Sequence, residues 1–166
     1  MAEQRYSPEF ADFVELRYRD LLRTAFLLTG SHHAAEDLVQ ACLLKAMSRW
    51  DRIDEPMTYL RRVMVNQRVS WWRRVRRELP HADPPDSVAP DDIRGADDRA
   101  VVLAALAGLP PRMRAVLVLR YWEDLSEAET AGLLGCSTGT VKAQASRGLS
   151  RLRAVLGTDS HVRGNR

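Results

Sequence analysis

Cysteine is scarce in this 166-residue chain: there are two, Cys42 and Cys136, far apart in sequence. Two such thiols make neither a disulfide framework nor a close Cys/His cluster for zinc. Histidine is hardly commoner. His32 and His33 are adjacent and so point different ways, while His81 and His161 stand alone. No metal-ligand set and no nucleophile–base–acid pattern can be assembled from them. A Gly-rich phosphate loop is also missing. The longest apolar run, Ala100 to Leu109, falls well short of the ~20 residues that span a bilayer. Met1-Ala-Glu-Gln-Arg5 lacks the charged-then-apolar character of a signal sequence. Runs of alternating β-branched residues are few. These absences predict an all-α, cytoplasmic protein without metal, cofactor, membrane insertion or catalytic residues.

Apolar residues make up 45% of the chain, which is ordinary globular composition, and the formal net charge is only +3. The small net charge hides a pattern. Residues 1–77 carry a surplus of basic groups, as do residues 99–166, and between them Glu78 to Asp98 holds seven acids against one arginine. That middle stretch also holds four of the eight prolines and almost no large apolar side chain. Proline removes backbone donors and pushes its predecessor out of the α region, so the stretch cannot fold onto a core. It reads as an acidic, Pro-rich linker. The expected organisation is two small helical domains, 1–78 and 98–157, joined by a linker at 79–97 and followed by a tail at 158–166.

Helix signals fill the rest. Ser7-Pro8 predicts an N-cap with proline at the first helical position. The helix runs to Gly30 with Phe10, Phe13, Val14, Leu21, Leu22, Ala25 and Leu28 at three-to-four spacing. Ser31 predicts the cap of a second helix to about Trp50, with Leu38, Cys42, Leu43, Ala46 and Trp50 on its inner stripe. Pro56 opens a third to about Arg77. Asp97 or Asp98 opens another to about Leu106, and Pro110-Pro111 one to about Trp122.

Ser126-Glu-Ala-Glu129 is a capping-box pattern, and the helix it opens places Ala128, Ala131 and Leu134 inward and stops at Gly135. Ser137 then caps a further helix with Val141, Ala145, Leu149 and Leu152 on its core side. Two short helices across a tight Gly turn form a helix-turn-helix, whose second helix enters the DNA major groove. The early outer face of that helix is Thr138, Thr140, Lys142, Ala143, Ser146 and Arg147. Lys and Arg reach phosphates or guanine acceptors, and small residues allow close approach to the groove floor. The plainer reading is a helical hairpin with a solvated cationic face.

The third helix is densely basic: Arg61, Arg62, Arg68, Arg73, Arg74, Arg76 and Arg77, with Asn66 and the pair Trp71-Trp72, and no acid. Cations that track a backbone, interleaved with rings that stack bases, suit single-stranded nucleic acid. Core packing competes as a role for the tryptophans, and adjacent positions cannot both face the same way. On the second helix, Glu36, Asp37 and Gln40 either complement the helix dipole or form a protein-docking face; spacing alone favours the dipole. Cys42 is placed to be buried, and Cys136, in the helix-turn-helix turn, carries no supported redox role.

Five motifs in order resemble a known family. They are Ala35-Glu-Asp-Leu-Val-Gln40; Tyr59-Leu-Arg-Arg-Val-Met-Val-Asn66 with Trp71-Trp-Arg-Arg74; Leu109-Pro-Pro-Arg-Met-Arg-Ala-Val-Leu-Val-Leu-Arg-Tyr121; Leu125-Ser-Glu-Ala-Glu129; and Gly139-Thr-Val-Lys142. Over about residues 9–156 the chain resembles a group IV, extracytoplasmic-function (ECF) sigma factor of bacterial RNA polymerase, of the actinobacterial sigma-E type, with regions 2 and 4 only. The resemblance implies a region 2-like domain that docks on the polymerase clamp through Glu36, Asp37 and Gln40. It implies that the same domain melts the promoter −10 element, with Asn66 beside the melted strand and Arg61, Arg62, Arg73 and Arg74 on the basic face. It implies a region 4-like domain that reads the −35 element through Lys142, Ala143, Ser146 and Arg147 and meets the polymerase flap through Leu117, Arg120 and Tyr121. A separate anti-sigma partner and a free monomer complete the expectation. The chain departs from many relatives in Ser70, where they have Asp, in a short Asp51–Glu55 loop, and in Ala143, which cannot hydrogen-bond a base. The promoter sequence therefore does not carry over. The rival reading is a dimeric helix-turn-helix repressor or activator on duplex DNA. A third, a DNA-free adaptor, is disfavoured by the two separate basic blocks.

Overall fold

The computed structural model describes residues 7–78 and 98–163; the expected linker 79–97 and the chain's first six and last three residues lie outside the described residues. Seven α-helices, and no strand, occur among the described residues: α1 Pro8–Thr29, α2 His32–Met47, α3 Pro56–Glu78, α4 Asp98–Ala107, α5 Pro111–Leu117, α6 Glu127–Leu134 and α7 Thr138–Arg163. A 3₁₀ turn, Trp50–Arg52, links α2 to α3, and α5 continues into a π-helical turn, Val118–Trp122.

α1 starts at Pro8 as predicted, but Ser7 does not cap it. Its hydroxyl donates to Glu9 Oε2 at 3.2 Å, and the proline that follows offers no N–H. At the other end Gly30 takes a left-handed φ of 77°, and its N–H closes the helix on the Phe26 carbonyl. Ser31 does cap α2, accepting from the Ala34 N–H at 3.3 Å. α2 stops at Met47, three residues short of the expected end. Trp50 therefore leaves the α2 stripe and sits in the 3₁₀ turn, where its ring meets Phe10 edge-on at 5.0 Å and Phe13 at 5.1 Å. That cluster fastens the start of α1 to the α2–α3 connection, which a longer α2 could not do.

The capping box forms in full: Ser126 Oγ accepts from the Glu129 N–H at 3.0 Å, and Glu129 Oε2 accepts from the Ser126 N–H at 2.7 Å. Ala128, expected inward, is exposed, and the buried positions of α6 are Thr130, Ala131 and Leu133. The reason is that α6 packs on two partners, α7 on one side and α3 on the other. Leu133 joins the core built by Leu21, Ala25, Leu28, Val39, Leu60 and Met64, while Ala131 joins a second core with Met113, Val116, Leu117, Val141 and Ala145. Ser137 accepts from the Thr140 N–H at 3.1 Å and so caps α7. α7 continues through the residues expected to form a tail, as far as Arg163.

Packing joins the two halves of the chain. Ala115, Val118 and Leu119 of the α5–π segment lie in the same core as α1, α2 and α3. Gly30 approaches the end of α4 so closely that a Cβ there would stand 3.1 Å from Ala107 Cβ. Arg114, only 3% exposed, crosses this seam. Its guanidinium donates to the carbonyls of Leu28 at 2.8 Å, Leu109 at 3.3 Å and Ala107.

Candidate nucleic-acid interface

The helix-turn-helix presents its expected face. Thr138, Lys142, Ser146 and Arg147 are exposed, and Thr140 and Ala143 are half-buried. Thr140 Oγ1 lies 3.0 Å from Ser137 Oγ, so its hydroxyl serves the cap rather than standing free. Lys142 Nζ lies 3.6 Å from Glu127 Oε2. An exposed pair of this kind is worth a few tenths of a kcal/mol to about 1 and yields easily to a phosphate. The inner side of α7 is held tightly. At Gly148 a Cβ would meet Leu117 Cδ1 at 2.8 Å and Met113 Cγ at 3.0 Å. The absence of a side chain there lets the recognition helix lie flat on α5.

On α3 the arginines divide by face. Arg62, Asn66, Ser70 and Arg74 recur every four residues and line an open cleft of about 720 Å³ against the end of α2. The cleft also takes Trp71, Lys45, Arg49, Tyr59 and Gln67. Trp71 is 40% exposed, and the Arg68 guanidinium lies over its ring, 4.7 Å from the centroid. Arg77 is exposed. The side chains of Trp72, Arg73 and Arg76 lie outside the described residues. The walls of this cleft offer cations, amides, a phenol and an indole face. Those are groups that hold a nucleic-acid backbone and receive an unstacked base. Sequence reading missed Lys45, Arg49, Tyr59 and Gln67. Tyr59 and Gln67 could have been found from the adjoining row Tyr59, Val63 and Gln67, which recurs every four residues beside Arg62 and Asn66; Lys45, on α2, and Arg49, in the turn after it, come from another part of the chain and leave no such signal.

Arg61 is not in that cleft. It turns toward the end of the π-helical turn, where its Nε donates to Glu123 Oε2 at 2.6 Å; the Arg61 side chain is 21% exposed and the Glu123 side chain 8%. Thr24 of α1 donates to the other carboxylate oxygen of Glu123. The π-helical turn aims Glu123 inward: its N–H bonds the Val118 carbonyl at 3.0 Å, five residues back. Nothing in the sequence marked this acid.

Glu36, Asp37 and Gln40 are exposed on α2, and Leu44, one turn beyond Gln40, is 63% exposed on the same stripe. His33 Nε2 lies 3.9 Å from Asp37 Oδ2, and His32 stacks on Phe26 at 4.4 Å. Leu117 is buried. It forms part of the wall of an apolar cleft of about 370 Å³, at whose rim Tyr121 and Trp122 are exposed. Arg120 donates to the Leu125 carbonyl and lies 5.8 Å from the Tyr121 ring centroid.

Comparison with known proteins fits this geometry. The sigma-70 region 2 family matches residues 13–78, and the sigma-70 region 4 family matches residues 99–152. The RNA polymerase sigma-E factor of Streptomyces avermitilis is 43% identical over 152 residues, covering 89% of this chain and 85% of that protein. The ECF RNA polymerase sigma factor SigL of Mycobacterium tuberculosis is 32% identical over 145 residues, 82% of each. Among solved structures, the sigma factor RpoE of Bartonella quintana, in complex with the anti-sigma factor NepR, superposes with a TM-score of 0.72 at 28% identity. The superposition covers 92% of this chain and 99% of that one. With both regions matched in order, the chain belongs to the sigma-70 family and is an ECF-type RNA polymerase sigma factor.

Proposed function

We propose that the chain binds bacterial core RNA polymerase and directs it to a subset of promoters, supplying DNA recognition and no catalysis of its own, in the cytoplasm. The observation that carries this reading is the pair of cationic faces on one chain, each within a stretch that matches one sigma-70 region. The unit at 98–157 reads the −35 element with Thr138, Thr140, Lys142, Ala143, Ser146 and Arg147. The unit at 1–78 takes the melted −10 strand with Arg62, Asn66, Trp71 and Arg74; Arg61, Trp72, Arg73, Arg76 and Arg77 belong to the same basic helix. Glu36, Asp37, Gln40 and Leu44 form the clamp-docking stripe, with acids and an amide around one apolar side chain. Arg120 and Tyr121, on the exposed side of the π-helical turn, meet the flap. A complex with an anti-sigma factor is recorded for the Bartonella relative, which supports a separate regulator of the same kind here.

The test is run-off transcription with purified chain and bacterial core polymerase on fragmented DNA from the source organism, reading transcript starts by sequencing. Discrete starts that share an upstream motif are expected. Absence of starts with its own organism's core, beside a working control sigma factor, would overturn the reading and favour a duplex-binding regulator.

A further inference from the structure

In the closed packing described above, α6 lies between α3 and α7. The axes of the two helices that carry the proposed DNA faces are thus two interhelical spacings apart, about 20 Å, and side chains of about 5–6 Å on each outer face add little to that. The −35 and −10 elements, as their names state, lie about 25 base pairs apart, or about 85 Å at 3.4 Å per pair. One closed chain cannot touch both, so the halves must separate on a promoter. We propose that Glu123 is a polar latch on this packing, acting beside the apolar core that Ala115, Val118, Leu119 and Leu133 share with the other half: a carboxylate of the helix-turn-helix half, held by Arg61 and Thr24 of the other half. The argument for two-element binding rests on the proposed function; the latch itself rests on geometry alone.

The chemistry suits a latch better than a permanent weld. Arg61 stands at the head of the basic helix, and a DNA phosphate offers its guanidinium the same charge-assisted pairing that Glu123 does. Only the open chain can present both DNA faces at once, so core polymerase and promoter draw the equilibrium open by their preference for that state. While closed, the chain binds either element singly and forgoes the gain from tethering two sites. Arg61 therefore has alternative partners, an intramolecular carboxylate or the promoter backbone.

The test uses the full chain with Cys136→Ser and paired spin labels at Asp51→Cys and Arg151→Cys, both on exposed sites; the third thiol, Cys42, is buried. Interlabel distance is measured without polymerase. The parent should give one short, narrow distance. E123R and R61E should each lower the closed-to-open ratio at least about tenfold, with helicity retained by circular dichroism, and the double swap R61E/E123R should restore the short distance. If E123R fails to fold, E123Q serves, with a partial shift expected. Single variants that keep the parent distance, or a double swap that stays open, would overturn the latch. Adding core polymerase and promoter to the parent should lengthen the distance, and a chain that stays closed in an active complex would also overturn it. If the variants open but no transcription is seen in any run-off assay, the latch stands and the proposed function falls.

Discussion

A buried arginine and a buried cysteine show how single side chains constrain this molecule. Arg114 carries a charge, yet it is buried and satisfies backbone carbonyls at the ends of α1 and α4. Replacing it with Met keeps the stem and leaves those carbonyls unpaired. R114M should lose about 3 kcal/mol of stability, read by urea unfolding with the slope unchanged. Burial pushes the Cys42 thiol up to about 12 from 9.0, with Lys45 opposing. A raised folded value favours the protonated form, so its contribution is full below about pH 9 and is lost as pH rises toward 12. Stability should fall over that alkaline range, and a thiol reagent at pH 8 should label Cys136 in the native chain and Cys42 only after unfolding.

At the level of elements, α7 faces two ways, and each face makes its own prediction. Its inner face abuts α5 at Gly148, so G148A should destabilise by about 1–2 kcal/mol through overpacking. Gly132 on α6 has nothing within 4 Å of a Cβ, so G132A should stabilise by about 0.5–1 kcal/mol through helix propensity. Thermal melts of the two variants should move in opposite directions. On the outer face, Lys142 and Arg147 are exposed beside the half-buried Ala143. K142A and R147A should each weaken −35-dependent initiation about tenfold without changing the melting temperature, since each loses a base or phosphate contact worth about 1–3 kcal/mol. Equal initiation on −35-containing templates would remove these residues from the recognition face. The capping box adds a dependence of its own. Hydrogen bonds from Ser126 hold the Glu129 carboxyl below its ordinary value, so the cap is intact at neutral pH and weakens as pH falls through that depressed value.

For the molecule as a whole, local signals in the sequence sufficed for the helices and the helix-turn-helix. Ser31, Ser126, Gly30, Gly135 and Ser137 act through neighbours four residues away or fewer, so a linear string carries them. Of the basic helix, the cleft face was readable as far as its own periodicity extends. What could not be read is the contact across the seam: Glu123 with Arg61 and Thr24, Arg114 with Leu28, Leu133 with the core of the other half. These pairs are separated by tens of residues, and nothing in either partner's surroundings announces the other. Even the start of the α5 helix was foreseen while its π-helical turn was not, because a change of pitch has no composition. That turn behaves as a single extra residue inserted into a helix. Winding the same five residues, 118–122, at α pitch would instead rotate everything beyond them by most of one residue's turn, up to about 100°, relative to α5. Glu123 would swing away from Arg61 with its identity and its neighbours in sequence intact. Closure of this chain is therefore encoded partly in helical pitch, and a lineage could lose it by substitutions within 118–122 that favour α winding and leave Glu123, Arg61 and Thr24 in place.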